Sequence, residues 1–589
     1  MSAEQLITQH IDTWTSALQM RSMAGRGNNG KIDLYGIKKL REMILELAVR
    51  GKLVPQDPND EPASELLKRI AAEKAELVKQ GKIKKQKPLP EISADEKPFE
   101  LPSGWEWTSI QNICLLENGD RSKNYPNKST LVESGVPFIN AGHLINGVID
   151  KMEITFIKYE HFNSLRSGKF QSGDILFCLR GSLGKSALVN NLSGAIASSL
   201  VIVRAYPLVS NKYIELYFNT PLSYRFIKQY DNGTAQPNLA ATDLNRFLVP
   251  FPPFSEQVRI IAKVTELMFF CDKLEQQSLT SFDAHSQLVE ALLATLTNSQ
   301  NAEELAENWA RISQNFDTLF TTEASIDALK QTILQLAVMG KLVPQDPNDE
   351  PASELLKRIE QEKAQLVKEG KIKKQKPLPP VSDEEKPFEL PEGWEWCRLG
   401  TLFSFQNGYA FKSEWFSDSG IRLVRNANIS HGFISWADSV RLPESMLSEF
   451  EGFGLNIGDV VISLDRPIIN SGLKYAFIRE CDLPCLLLQR VAKFNSVGNL
   501  ILSGFLSKWL ESNYFTNAID PGRSNGVPHI STKQLEMTLF PLLSQSEQSK
   551  IILKTNELIQ VCEQLKSRLQ SAQQTQLHLA DALTDAALS

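Results

Sequence analysis

Cysteine is scarce in this chain: seven among 589 residues, at 114, 178, 271, 397, 481, 485 and 562. An odd number with no CxxC pair offers neither a disulfide framework nor a zinc ribbon. Cys481 and Cys485 are close enough to share a metal with a nearby histidine, but buried free thiols are the commoner state of such residues. The seven histidines are scattered, with no HExxH and no HxH, so no metal site is expected. No run of about 18 apolar residues occurs, which excludes a conventional membrane-spanning helix. The opening "MSAEQLITQHIDTW" lacks the basic and apolar blocks of a signal peptide, so the chain reads as cytoplasmic. A net charge of −6 speaks against a protein wrapped indiscriminately around nucleic acid. The charge is uneven, with fourteen Lys and Arg against ten Asp and Glu in 108–250, and thirteen of each in 397–541. The acidity therefore lies outside these two segments.

What the chain does have is a long internal duplication. "GKLVPQDPNDEPASELLKRI" runs from Gly51 to Ile70 and again from Gly340 to Ile359. "GKIKKQKPLP" at 81–90 and 370–379, "EKPFELP" at 96–102 and 385–391, and "GWEW" at 104–107 and 393–396 keep the same offset of 289. Upstream, "ITQHIDT" at 7–13 answers "ISQNFDT" at 312–318, so the first half carries about 16 extra residues around "MRSMAGRGNNGKIDLYG", which read as a flexible loop. After each GWEW comes a segment of about 145 residues, and the two differ strongly. Each ends alike, "PFPPFSEQVRIIAKVTELMFFCDKLEQQ" (250–277) aligning with "PLLSQSEQSKIILKTNELIQVCEQLKSR" (541–568). Solenoid repeats would be shorter and more numerous, so the chain is a pseudo-twofold of constant and variable parts.

The constant parts read as helices. From Ser255 to about Asn298 positions 260, 264, 267, 271, 274, 278, 281, 285, 288 and 292 step by three and four, and most are apolar: Ile260, Val264, Leu267, Cys271, Leu274, Leu288 and Leu292. The second copy repeats it through Ile551, Leu558, Cys562, Leu565, Leu569, Leu579 and Leu583. This spacing predicts a heptad seam on a helix about 60 Å long in each half, and the two could pack as a strut. A shorter helix over 36–50 ends at Gly51, and Pro62 opens another through about Lys79. The lysines of "GKIKKQKPLP" fit a solvated basic linker and also a contact with DNA. The variable segments carry short apolar runs between Gly, Asn and Pro, such as "GDILFCLRG" (173–181), "SSLVIVRA" (198–205), "GDVVISLDR" (458–466) and "CLLLQRVAKF" (485–494). These predict strands, with helices over 211–230 and 500–515, and the fold class is α+β.

Catalytic sets are missing. "RGSLGKSALV" (180–189) contains Gly-Lys-Ser, but Leu179 stands where a phosphate-cradling loop needs glycine. "FPPF" at 251–254 has Phe251 where an amino-methyltransferase needs Asn or Asp, and no glycine-rich cofactor loop accompanies it; it reads as a turn into the long helix. "DEK" (95–97) and "EEK" (384–386) could mimic a nuclease metal centre, yet sit in the proline-rich linkers.

Constant and variable parts in this order resemble the specificity subunit of Type I restriction-modification enzymes. The resemblance rests on "LPSGWEW" and "LPEGWEW" opening each variable domain, on "NGDRSKNYPNKSTLVESGVPFINAGHL" followed by "GDILFCLRGSLGKSALV", and on "NGTAQPNLAATDLNRFLVPFPPFSEQ". "ILELAVRGKLVPQDP" is similar to the branch with an extended N-terminal constant region. The second half departs from the pattern: "DRPIINSGLKYAF" (465–477) replaces the RGSxGK stretch, "GRSNGVPHIS" (522–531) replaces the Gly, Gln, Asn one, and "PLLSQSEQ" lacks the second proline.

The resemblance implies an N-terminal helical constant region and linker (1–104), a first target recognition domain (105–250), a central constant region (251–393), a second recognition domain (394–541) and a C-terminal long helix (542–589). It implies two mainly β recognition domains separated by two long antiparallel coiled-coil helices. Each domain would read one half of a bipartite, asymmetric double-stranded DNA target, and the helices would set the spacer. Two modification (methyltransferase) subunits would dock on the repeated regions, and restriction subunits, ATP-dependent translocase and nuclease, would join them. This chain would be non-catalytic and bind no cofactor itself; S-adenosylmethionine, ATP and magnesium would belong to its partners. Two identical partners need two like surfaces, though recent duplication alone also leaves identical text.

Base readout needs donors and acceptors on loops. The first domain offers Arg121, Lys123, Tyr125, Asn140, His143, Arg180, Ser182, Lys185, Asn232, Gln236 and Asn238, with Asn140 also suited to capping a turn. The second offers Tyr409, Lys412, Arg425, Asn426, Asn428, Arg466, Arg523, Asn525 and His529. Two rival readings remain: a hidden nuclease or methyltransferase, which activity of the purified chain with magnesium or S-adenosylmethionine would reveal, and a coiled-coil adaptor whose variable domains hold proteins, which would give no salt-dependent shift of random duplex.

Overall fold

The apolar spacing that predicts two long helices is matched by helices Phe254–Asn298 and Gln545–Leu588 in the computed structural model. It describes residues 3–21, 31–233, 236–370, 377–469, 472–497, 500–519 and 529–588. Arg523, Asn525, the middle of the N-terminal insert and most of the second lysine linker therefore lie outside the described residues. The chain divides into two compact units, residues 1–280 with 572–589, and 281–571. Each holds one variable domain and one copy of the repeated helices, and the fold is α+β with two sheet-rich domains. Among the described residues no helix is long and apolar enough to cross a membrane.

Helices Tyr35–Val49 and Ala63–Lys79 recur as Glu323–Val338 and Ala352–Lys368. The N-terminal insert is not simply a loop: its ends, Gln19–Arg21 and Lys31–Asp33, pair as antiparallel strands. Six cysteines are buried free thiols, as expected, while Cys481 is exposed.

The seam prediction needs one correction, and the same one in both halves. Ile260, Val264, Leu267, Cys271 and Leu274 are buried as the heptad requires, as are Ile551 and Cys562. Leu558, Leu565, Leu569 and Leu583 are half-buried. Leu288 and Leu579, however, are 51% and 43% exposed, and the buried positions are Val289 and Ala580, one residue later. After Leu274 the inward positions are 278, 282, 285 and 289; after Leu565 they are 569, 573, 576 and 580. One step of three has become four in each copy, the spacing of a stutter. Leu292 is consequently only half-buried, and Leu293 and Leu296 join Val289 in the core.

Each variable domain is closed by the strands that enter and leave it. Glu106–Ser109 pairs antiparallel with Leu248–Phe251, and Glu395–Arg398 with Leu539–Leu542. The FPPF segment is thus the end of a strand and the turn into the long helix. Inside the first domain one antiparallel sheet runs Ser186–Leu188, Ile175–Cys178, Leu200–Ala205, Cys114–Asn118, beside a five-stranded sheet in which Gly194–Ile196 lies parallel to Val136–Ile139. The second domain repeats the first sheet as Tyr475–Phe477, Val460–Ser463, Val491–Ser496, Phe403–Asn407. The Gly-Lys-Ser stretch closes the loop 179–185 between strands Ile175–Cys178 and Ser186–Leu188 and does not lie ahead of a helix.

The repeated text builds the joint under each domain. Trp105 Nε1 donates to Glu256 Oε2 at 2.9 Å, and Gln56 Nε2 to Glu256 Oε1 at 3.1 Å. The second joint repeats them: Trp394 to Glu547 at 2.8 Å and Gln345 to Glu547 at 3.1 Å. Each glutamine also donates to a glycine carbonyl, of Gly51 or Gly340, at 2.6 Å. Those glycines have φ of +68° and +70°, and a Cβ there would lie 2.4 or 2.5 Å from Pro102 or Pro391. The next glutamine, Gln257 or Gln548, accepts from the backbone of its own variable domain, at Ser210 N (3.0 Å) or Leu502 N (2.8 Å). Arg259–Asp60 and Lys550–Asp349 complete the pair of networks.

Burial pushes the carboxyls of Glu256 and Glu547 above their ordinary value, against the lowering effect of the glutamine and tryptophan donors. Between the unfolded and folded values the native chain holds protons the unfolded chain has released, so stability falls as pH rises through that interval. Glu256→Gln or Glu547→Gln places an amide N–H against a donor, since Gln56 and Gln345 cannot turn without losing the glycine carbonyl. Each is expected to cost about 1–3 kcal/mol in urea unfolding, near-equally in the two halves, and to flatten the fall in stability above about pH 4. Leu288→Ser is expected to be near-neutral, whereas Leu293→Ala should cost about 2–5 kcal/mol in the same assay.

Candidate nucleic-acid interface

In the first domain several loops meet where the sheets end. Strand Ile175–Cys178 finishes beside the start of Leu200–Ala205, which lies against the end of Cys114–Asn118. Leu179 N donates to Ser199 O (2.9 Å), Leu239 N to Leu179 O (2.9 Å), and Ala197 N to Ile139 O (2.7 Å). These bonds bring together the segments 119–125, 139–143, 179–185, 197–199 and 231–239.

Arg180, Ser182, Lys185, Asn232 and Gln236 are exposed here, and Asn238 is half-exposed. They form one cluster. Arg180 Nε donates to Asn238 Oδ1 at 3.1 Å, and Asn238 Nδ2 to Asn232 Oδ1 at 2.7 Å. Asp231 anchors the loop, accepting from Asn238 N at 2.9 Å and Gly233 N at 3.0 Å, and these two N–H groups hold its carboxyl below the usual range. A Cβ on Gly233 would lie 1.9 Å from Gln236 O, so the loop needs glycine. Arg121 and Lys123 are exposed on a neighbouring loop whose backbone is fixed by Asp120, which accepts from Ser122 N (2.6 Å) and Arg166 N (2.7 Å).

Three candidates of this domain have internal duties. Tyr125 is half-buried, its hydroxyl accepting from Ser198 N and its ring packed on Phe138. Asn140 caps a short turn, its Oδ1 accepting from Gly142 N at 2.8 Å. His143 is buried beneath it, its Nδ1 accepting from Asn140 N at 3.2 Å, and burial pushes its pKa down. His143 is thus turned inward by the turn that Asn140 closes.

The second domain keeps the scaffold and changes the text. Leu464 N donates to Arg490 O (2.9 Å) and Ile530 N to Leu464 O (2.8 Å), the counterparts of the two bonds at Leu179. Asp465 bridges His529 as Arg180 bridges Asn238. So Asp465 stands in the place of Arg180, His529 in that of Asn238, and Arg490 in that of Ser199. Arg466, His529 and Lys412 are exposed, Lys412 lying over the Trp415 ring. Tyr409 is packed among Phe411, Phe450 and Phe453 at 4.8–5.2 Å between ring centroids, a core position rather than a free face. Asn428 is buried, donating to Ser435 O and Asp438 O, and Arg425 is tied to Asn428 Oδ1 and Asp438. Asn426 beside them is half-exposed. Arg490 was missed because "CLLLQRVAKF" reads as one strand; it is two, Cys485–Leu487 and Val491–Ser496, with Arg490 in the turn. The polar pair Gln489–Arg490 between apolar runs was the available signal.

Among the described residues neither site assembles a nucleophile with a base, and no group of three or more His, Cys, Asp or Glu could hold a metal ion. Asp95–Lys97 and Glu384–Lys386 belong to short capped turns, with Glu96 accepting from Ser93 N and Glu385 from Ser382 N. What the strand ends offer is fixed donors and acceptors on exposed loops, the equipment of a base reader.

Residues 102–281 match the Type I restriction modification DNA specificity domain. The chain is 62% identical over 601 residues to the EcoAI specificity subunit of Escherichia coli and 50% identical over 608 residues to the EcoEI specificity subunit, covering 100% of each chain in both cases. It is 22% identical over 486 residues to the MjaVIII specificity subunit of Methanocaldococcus jannaschii, over 82% of this chain and 93% of that one. Among solved structures, the HsdS subunit from Thermoanaerobacter tengcongensis aligns with 83% of this chain and 98% of its own, at 18% identity and a TM-score of 0.40. With full-length identity of this order, the chain belongs to the family of Type I restriction enzyme specificity subunits, and it is the DNA-specificity component rather than a catalytic one.

Proposed function

We propose that each variable domain reads one half of a split, asymmetric DNA target through its strand-end loops, and that the long helices set the number of unread base pairs between the halves. The observation that carries this is the contrast between near-identical joints and dissimilar strand-end residues, Arg180, Asn238 and Ser199 against Asp465, His529 and Arg490. Two different readers on two like mounts call for two different half-sites.

We further propose that the repeated constant regions dock two modification subunits, which would supply S-adenosylmethionine-dependent methylation, and that restriction subunits with ATP and magnesium would complete the enzyme. The exposed faces of the repeated helices support this, with Glu61–Arg69 and Glu350–Arg358 presented alike in both halves. The exposed lysines 82, 84, 85 and 87 of the first linker are available to a phosphate backbone or to solvent.

Exchange of 105–250 for the corresponding domain of another family member tests the reading. Long-read methylation mapping of DNA from cells carrying the chain with its modification partner should return a split motif in which one half changes and the other does not; a motif indifferent to the exchange would refute it. With near-neutral recognition domains, phosphate neutralisation by this chain alone is small. Filter-binding at equal salt is therefore expected to show weaker specific binding by the free chain than by the assembled complex.

A further inference from the structure

The two strand-end sites answer one another bond for bond, yet the arginine has changed places. In the first domain Arg180 follows the central strand Ile175–Cys178, and its Nε is braced by Asn238 Oδ1 from the loop opposite. In the second domain that position is Asp465, and the guanidinium comes instead from Arg490, ahead of strand Val491–Ser496. Arg490 Nη1 donates to Asp465 Oδ2 at 2.6 Å. Each site thus holds one arginine whose head is fixed by a side-chain acceptor, Asn238 of the opposite loop for Arg180 and Asp465 after the neighbouring strand for Arg490.

We infer that Arg490 is a specificity-determining residue of the second domain, reading a guanine of its half-site as the counterpart of Arg180 in the first. The inference rests on the strand-end reading proposed above and adds a residue and a base to it. Guanine presents two acceptors, N7 and O6, to the major groove, and a guanidinium meets both with a pair of donors. Arg490 keeps Nε and Nη2, and Arg180 keeps Nη1 and Nη2, without a hydrogen bond to any described residue. The brace leaves a planar fork with little rotamer freedom to lose on binding.

Two further observations separate Arg490 from an ordinary surface arginine. Its backbone has φ of +68°, a left-handed conformation that costs a residue with a Cβ and persists where the surroundings impose it. Here the Leu464 N–H on Arg490 O and the antiparallel pairing of Val491 with Ser463 fix the turn. The arginine is also outward: its side chain is 68% exposed, while that of its partner Asp465 is 14% exposed. A largely covered acceptor under an exposed donor is the arrangement of a held reader rather than of a surface ion pair.

Because the arginine has moved from the end of one strand to the start of its neighbour, the guanine it meets need not occupy the same place in the two half-sites. The same shift puts a carboxylate where the first domain has a guanidinium, so Arg180 and Arg490 are not interchangeable even though the scaffolds are.

Methylation mapping of cells carrying the full chain with its modification partner decides the matter, using Arg490→Ala, Arg490→Lys, Arg180→Ala and the exchange of 394–541. With Arg490→Ala the second half-site is expected to lose its requirement for guanine at one position, a preference of roughly 5- to 150-fold falling to near none, while the first half-site is unchanged. Arg180→Ala should do the converse. Arg490→Lys keeps the charge but not the fork, so it should relax the same position, and it serves as the test if the alanine chain fails to accumulate. An unchanged motif with either variant, or methylation reduced alike at every site, overturns the assignment. If exchange of 394–541 still alters one half-site in that case, the strand-end reading survives and only the role of Arg490 falls; if the exchange alters nothing, the reading itself is wrong.

Discussion

The first turn of each long helix carries a glutamate, Glu256 or Glu547, whose two oxygens accept from a tryptophan that opens the variable domain and a glutamine of the repeated segment. Three pieces of chain far apart in sequence meet on one buried carboxylate. A carboxylate is acceptor only, so it organises donors, and in a buried site a lost donor leaves an oxygen unpaired. The following glutamine, Gln257 or Gln548, takes the next step into the variable domain. The joint thereby ties the strands that enter and leave the variable domain to the long helix that follows it.

Much of the repeated text is explained by this geometry. Gly51, Gln56, Asp60, Pro102 and Trp105, with their counterparts at the offset of 289, are used inside their own unit. Identical residues were expected chiefly as docking surface for identical partners. A second reason now stands beside it: the same joint needs the same parts, whatever domain it carries. The exposed charges of the repeated helices are what remains for a partner to use.

The sequence was most informative where periodicity or repetition carried the signal. In the repeated parts helix boundaries fell within a residue or two, whereas the helices expected over 211–230 and 500–515 are each two, broken at 219–220 and at Ser512; the strands 175–178 and 200–205 lay inside the runs that predicted them, and the duplication announced the joint without revealing its bonds. It was least informative where one residue decides a direction. The stutter after Leu274 exposes Leu288 because an apolar residue suits either side of a one-position shift, and only packing tells Leu288 from Val289. His143, Tyr409 and Asn428 have the chemistry of readers, but neighbouring turns and rings consume it. Arg490 escaped notice for the opposite reason: it sits between two apolar runs whose break is set by backbone pairing to Leu464 rather than by any turn residue.

The central claim is that the joints are equivalent sockets and that sequence choice lives wholly in what they hold. The most direct measurement is the methylation motif written by a chain carrying the second variable domain in both sockets, grafted between Trp105 and Glu256 as it stands between Trp394 and Glu547. Equivalent sockets predict a symmetric split motif, the second half-site followed by its inverted copy. A motif that keeps the original first half, or one in which the grafted domain reads a different sequence from its native copy, would contradict the account.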